Sequence, residues 1–368
     1  MALHYQDISR EIQGVIEEGR GEAAGFLEID WVKDQVFNAC GFIPFPGTLN
    51  LKLSTGDFDY LRQLVFARGE RLIPPVSQED FCEARVLSLD LEGVPAAMLL
   101  PMVDHYYENI VEVIAPLQLK SFLGLDNSDY LKFSPVIPPK LSLPDGIIFD
   151  LDGTLLDSVD LFYDMLCQGC RELELSVPSK EVVMEIMGSG MGLWDAWENL
   201  IENEELPEDK EAFLNRCMDI FDKIWQQRYE REVRLFEGVK ELLVQLSEKG
   251  VKLGVVTSSF YPGKMDLFTR AGLDYRSIFQ SIVTRKDCEH NKPHPQPIII
   301  CLQQLGLEPE NCISIGDSPC DVAAVKEAGL FAVGVLSGTG TVQSLSKWGA
   351  DALLDDITKL PILIEAIE

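Results

Sequence analysis

The chain has 368 residues, enough for two or three domains of ordinary size, and its 46% apolar and 25% charged residues place it among folded globular proteins. A formal charge of -29 argues against a nucleic acid or an anionic membrane as partner, because surface binding of phosphate needs a basic face. Any phosphate ligand must instead meet a local cluster of donors or a metal ion.

No apolar run is long enough to span a bilayer, and the opening segment lacks a basic start followed by an apolar stretch, so the expected location is cytoplasmic. Nine cysteines without the dense spacing of a secreted scaffold read as reduced thiols. Oligomeric state is left open.

In the first half, helical periods at 31–39 and 58–67 stand among short apolar runs such as 84–91 and 96–101, which predicts a small, mostly β domain. The segment Gly41-Phe42-Ile43-Pro44-Phe45-Pro46-Gly47-Thr48-Leu49-Asn50-Leu51-Lys52-Leu53 puts two neutral oxygens, on Thr48 and Asn50, one residue apart on a tight turn. That spacing suits a hard cation, or simply a hairpin turn in which Asn50 satisfies backbone groups. Earlier, Gly19-Arg20-Gly21-Glu22-Ala23 offers backbone amides that can approach phosphate.

These segments, with Tyr106, the run Val111-Glu112-Val113-Ile114-Ala115-Pro116, and Leu119-Lys120, resemble the CTP-dependent riboflavin kinases of archaeal type over residues 10–133. The resemblance implies a cradle-loop β-barrel in which Thr48 and Asn50 ligate Mg²⁺. It further implies that Gly19, Gly21, Gly47 and Thr48 meet the nucleotide and that Glu112 lies by the flavin. Ala23 stands where that family carries a further glycine, and Met102, Val103 and Asp104 stand where it carries basic residues.

Between 134 and 144 the sequence SPVIPPKLSLP holds four prolines, which neither a helix nor a central strand accommodates. A linker at 135–144 between domains at 1–134 and 145–368 is the expected organisation.

Downstream, strand-like runs at 146–150, 252–257, 281–284, 312–316 and 331–335 alternate with helical periods, the signature of a parallel sheet covered by helices. A helix at 239–249 is expected to stop at Gly250, just before the strand that carries Thr257. Residues from about 161 to 233 interrupt the alternation with helical periods alone. Within them Cys167 and Cys170 read as parts of a helix, not a zinc or redox pair. Trp194 and Trp197, three apart, read either as core or as a platform for a flat substrate.

Asp150 and Asp152 stand two apart at the end of the first of these runs, which on a strand puts both carboxylates on one face, as a nucleophile and a general acid require. Thr257 ends the second run, Lys292 opens Lys292-Pro293-His294-Pro295, and Asp317 and Asp321 follow the fourth run in Gly316-Asp317-Ser318-Pro319-Cys320-Asp321. A phosphate dianion beside Asp150, Asp317 and Asp321 needs cations to offset repulsion, and oxygen-only ligands favour Mg²⁺.

This ordered set resembles the four motifs of the haloacid dehalogenase superfamily, in its capped, phosphoglycolate phosphatase-like branch. The resemblance implies a Rossmann-like α/β core with a helical cap at about 161–233. Asp150 is then the nucleophile that forms an aspartyl-phosphate, and Thr257, Ser258, Gly153 and Thr154 hold the substrate. Lys292 neutralises nucleophile and phosphate. Asp152 protonates the leaving oxygen and lends its backbone carbonyl to the metal beside Asp150, Asp317 and Asp321. The two halves together imply a flavin-metabolic enzyme acting on riboflavin, CTP and a phosphate ester such as FMN. The alternative is a phosphatase of phosphoglycolate or a sugar phosphate, with a barrel that only senses flavin or nucleotide.

Overall fold

Strand β1 (Ile12–Glu17) buries Ile12, Gly14 and Ile16 and turns the residues between them outward, the period of two expected of a half-covered strand. There follow α1 (Ala23–Leu27), α2 (Asp30–Cys40), β2 (Leu49–Lys52), α3 (Thr55–Arg68), β3 (Glu70–Leu72), β4 (Ala84–Leu91), β5 (Val94–Pro101), β6 (Ile110–Ile114), α4 (Leu119–Leu123) and β7 (Tyr130–Pro135). The strands run in the order β3-β4-β5-β6-β2-β1-β7, and a further pairing of β4 with β7 closes six of them into an antiparallel barrel. Closure uses Leu89 opposite Pro135, so this proline completes a strand instead of opening the linker. It tolerates that place because a strand's last residue need not donate. Val32 and Val36 of α2 join Val86, Ala97, Leu99 and Ile114 in one apolar cluster, and α2 stops at Gly41 with φ +78°.

The computed structural model describes residues 10–19, 23–78, 80–91, 93–104, 106, 109–202, 204, 206–207, 209–259, 263–365 and 367. They form two units: one extends to Ser142 with a short return from Pro361, and the other runs from Leu143 to Leu360.

The second unit contains β8 (Gly146–Phe149), β9 (Leu156–Asp157), α5 (Val159–Glu172), α6 (Lys180–Gly188), α7 (Leu193–Leu200), α8 (Lys210–Glu232), β10 (Arg234–Leu235), α9 (Val239–Glu248) and β11 (Lys252–Thr257). It continues with α10 (Asp266–Arg270), α11 (Tyr275–Ile278), β12 (Phe279–Thr284), α12 (Gln296–Leu305), β13 (Cys312–Gly316), α13 (Pro319–Glu327), β14 (Phe331–Val335), α14 (Val342–Lys347) and β15 (Ala352–Leu354), while α15 (Leu360–Leu363) begins at Leu360 and otherwise belongs to the return segment of the first unit. Six strands make a parallel sheet in the order β12-β11-β8-β13-β14-β15. All four residues of β8 are buried, as expected of a central strand covered on both faces. The chain adds β11 and β12 on one side of β8 and then crosses to add β13, β14 and β15 on the other, so the carboxyl ends of β8, β11 and β13 frame a topological switch point.

Four helices, α5 to α8, form a cap whose two connections to the core, β9 and β10, pair antiparallel through Leu156 with Leu235 and Asp157 with Arg234. Trp197 is fully buried in the cap, edge-on to Phe221. Cys167, Cys170 and Cys217 are buried free thiols there. Burial pushes the Cys170 thiol up to about 12, which leaves it unreactive. Among the described residues no helix is long and apolar enough to cross a membrane.

Candidate active site

Strand β8 ends at Phe149, so Asp150 and Asp152 lie in the loop beyond it, and strand alternation is not what brings them to one side. The loop does so. Asp150 N donates to Ile315 O at 2.8 Å, and Asp152 bridges Leu156. Gly153 turns the chain at φ +78°, where an added Cβ would stand 2.7 Å from the Asp317 carboxyl. Only glycine meets both conditions.

Lys292 is almost wholly buried, and its ammonium donates to Asp150 Oδ1 at 2.6 Å, to Val256 O at 3.1 Å and to the Asp321 carboxylate. Asp321 serves twice. It closes the first turn of α13 by accepting from Ser318 N at 3.1 Å while Ser318 Oγ accepts from Asp321 N, and it faces Lys292. Asp317 accepts from Thr339 N at 2.8 Å and Thr339 Oγ1 at 3.0 Å.

Oxygens of Asp150, Asp317 and Asp321 lie within 4.8 Å of one another, all buried. One ammonium cannot offset three carboxylates. Burial pushes Asp150 well above the usual carboxylate range, with Lys292 opposing, and burial followed by Asp321 pushes Asp317 up to about 7. Burial works against the Lys292 charge, yet Asp150 and Asp321 hold its pKa above the ordinary lysine value. A compact set of hard oxygen donors with surplus negative charge fits Mg²⁺, as the donor chemistry requires.

Asp152 accepts from Ser158 Oγ at 2.8 Å and, at 3.5 Å, from the Tyr229 hydroxyl, and it pairs with the buried ammonium of Lys264. Lys264 Nζ stands 5.2 Å from the Trp225 ring and 5.3 Å from the Tyr229 ring, which stack on each other at 3.7 Å. Thus a core loop and cap helix α8 meet at the expected acid. Sequence reasoning missed Lys264 and Tyr229; the only available signal was the four-residue spacing of Trp225 and Tyr229 on one helix.

A cavity of about 740 Å³ opens above these groups. Its floor includes Asp150, Asp152, Thr257, Ser258, Lys292, Asp317 and Asp321, and its walls include Phe162, Ile186, Trp194 and Trp225 of the cap. Thr257 Oγ1 accepts from Ser259 N at 3.0 Å, and the buried Ser258 hydroxyl has no partner among the described residues. Gly153 and Thr154 are not on the cavity wall. Thr154 is fully buried with its hydroxyl 3.4 Å from Asp317, so these two residues shape the loop. Of the two tryptophans, Trp194 lines the cavity and Trp197 belongs to the cap core.

In the barrel, an added Cβ on Gly19 would stand 2.3 Å from Asn50 Nδ2, and Thr48 Oγ1 donates to Asn50 Oδ1 at 3.3 Å. Asn50 sits opposite Glu112 on one side and Glu17 on the other. Residues Gly19, Thr48, Asn50 and Glu112 are therefore neighbours, with Gly47 next to Thr48 in the chain. Gly21 lies outside the described residues.

A family model described as haloacid dehalogenase-like hydrolase matches residues 147–335. A second, named for CTP-dependent riboflavin kinase and described as domain of unknown function DUF120, matches residues 16–134. The phosphoglycolate phosphatase of Salmonella typhi is 29% identical over 231 residues, 58% of this chain and 90% of its own length. That of Escherichia coli (strain K12) is 27% identical over the same extent. Among solved structures, a hydrolase from Pseudomonas syringae superposes with a TM-score of 0.50 and 25% identity, over 59% of this chain and 95% of its own.

Proposed function

We propose, on the premise that this chain belongs to the haloacid dehalogenase-like hydrolase family, that residues 145–368 hydrolyse phosphate monoesters through an aspartyl-phosphate on Asp150. Residues 1–134, with Pro135 ending their last strand, are then a CTP-dependent riboflavin kinase-like barrel, joined by a linker over 136–144, and both act on small molecules in the cytoplasm. The observation that carries the reading is the buried Lys292–Asp150 contact of 2.6 Å at the floor of a capped cavity.

The chemistry follows from these groups. Lys292 occupies Asp150 Oδ1, which leaves Oδ2 to attack phosphorus. Thr257 and Ser258, which line the cavity, would donate to the nonbridging oxygens, and Lys292 would neutralise charge shared between nucleophile and phosphate. Asp152 gives a proton to the leaving oxygen and later takes one from the attacking water. Asp150, Asp317, Asp321 and the Asp152 carbonyl would hold Mg²⁺, which would supply charge neutralisation to the phosphoryl group. Cap walls exclude bulk water from the esterified phosphate.

FMN is the favoured substrate. The fusion to a riboflavin kinase-like domain supports it, and so does the cavity, in which a glycolate leaving group would fill only a small part. Thr48 and Asn50 would hold the nucleotide's Mg²⁺ in the kinase half, with Gly19 and Gly47 near the phosphates and Glu112 by the flavin. A second reading, hydrolysis of phosphoglycolate beside a barrel that only senses its ligand, is favoured by what the relatives' names state. Phosphate release from FMN and from phosphoglycolate, together with FMN formation from riboflavin and CTP, decides between them. Asp150→Asn should abolish phosphate release and spare FMN formation, and Asn50→Ala should do the reverse. Loss of both activities in either variant would overturn the claim of two sites.

A further inference from the structure

We infer that Arg285 determines the specificity of the phosphatase cavity by binding a coplanar pair of acceptor atoms on the leaving group of the substrate. This inference rests on the phosphatase reading of that cavity. Thr284, the last residue of β12, is the direct partner of Thr257 on β11, so Arg285 leaves the sheet at the same edge as the phosphate pocket and one strand to its side. Its side chain lines the cavity and is half-buried.

The guanidinium has no hydrogen-bond or ion-pair partner among the described residues. In a chain with 60 acidic against 31 basic residues, carboxylates are plentiful, yet among the described residues none meets it. A half-buried cation that lines the cavity and has no protein partner there is free to meet the acceptor atoms of a ligand. An added Cβ on Gly192 would stand 3.1 to 3.3 Å from the guanidinium, so the cap backbone rests directly on Arg285. The nearby carboxylate of Asp195 is engaged elsewhere, accepting from Gly192 N at 3.2 Å at the start of α7.

Phosphate does not need Arg285, since Lys292 already serves it on the floor. The free group is therefore suited to the far end of the ester. Guanidinium is a planar fork of donors that matches two coplanar acceptors, where an ammonium would act as a point charge. Met191, Leu193 and Trp194, beside Gly192 in the chain, also line the cavity and give that end apolar walls. The leaving group is thus a flat or apolar body ending in a carboxylate or in the acceptor edge of a heteroaromatic ring.

The test compares wild type, Arg285→Gln and Arg285→Lys as full-length chains with Mg²⁺. The substrates are FMN, which has an acceptor ring edge; phosphoglycolate, which has a carboxylate; and phenyl phosphate, which has neither. Loss of a charge-assisted pair predicts a KM about 10- to 100-fold higher in Arg285→Gln for the acceptor-bearing substrate that wild type prefers. Phenyl phosphate turnover should be unchanged, and Arg285→Lys should recover only part of the loss. A rise confined to FMN identifies the ring edge; one confined to phosphoglycolate identifies the carboxylate. An equal change on all three substrates, or no change on either acceptor-bearing one, overturns the inference while the phosphatase reading stands. A wild type that releases phosphate from none of them overturns both.

Discussion

Stabilisation of the hydrolase unit by Mg²⁺ should increase with pH, because protons and the cation compete for Asp317. Burial, then Asp321, lift this carboxyl from 3.8 to about 7 in the cation-free fold. Between those values the folded chain keeps a proton that the unfolded chain releases, so folding stability contributed by this group is present at low pH and lost as pH rises through about 7. At 1.36 kcal/mol per unit the loss is on the order of 4 kcal/mol. A divalent cation needs the ionised form. With a pKa of about 7, the ionised fraction falls about tenfold from pH 8 to pH 6, which weakens cation binding by the same factor and removes about 1.4 kcal/mol of its stabilisation. For a domain of this size that is roughly 3 to 5 °C in Tm. Differential scanning calorimetry with and without Mg²⁺ at both pH values measures it. An increment equal at the two pH values, or larger at pH 6, would refute the reasoning.

Lys264→Met removes the ammonium that pairs with Asp152 beneath the Trp225–Tyr229 stack. First-turnover release of the alcohol from alkyl phosphates should slow on the order of 10- to 100-fold, and that of p-nitrophenol from p-nitrophenyl phosphate far less, because its leaving group needs no proton. Equal losses on both would place Lys264 outside the proton transfer. Gly153→Ala forces a Cβ to within 2.7 Å of the Asp317 carboxyl at a left-handed φ, and should cost roughly 1 to 3 kcal/mol in urea unfolding. An unshifted midpoint would mean that the loop yields without strain.

Much of the core site is legible in the chain because Thr257 ends an apolar run and Asp150 and Asp317 stand at the ends of two others, and a parallel sheet delivers run ends to one edge. The origin of the Asp150–Asp152 pairing is not legible. Strand alternation suggests it, but a glycine turn after the strand produces it. Lys264 and Tyr229 meet Asp152 from a core loop and a cap helix, and no local pattern encodes a meeting made by cap placement. Nothing in the sequence singles out Arg285 from other charges beyond a strand end. Trp194 and Trp197 show a limit of helical spacing: it predicts that residues share a face, but not which face turns to the cavity. In the barrel, the local turn carrying Thr48 and Asn50 is readable, whereas closure of β4 on β7 joins segments about forty residues apart by pairing alone.

The central claim is a covalent phosphoryl group on Asp150. Full-length chain turning over a radiolabelled phosphate monoester with Mg²⁺, quenched in acid and digested, should carry hydroxylamine-labile label on the peptide containing Asp150, and Asp150→Asn should carry none and release no phosphate. Label on a different residue, or phosphate release by Asp150→Asn at the wild-type rate, would contradict the account.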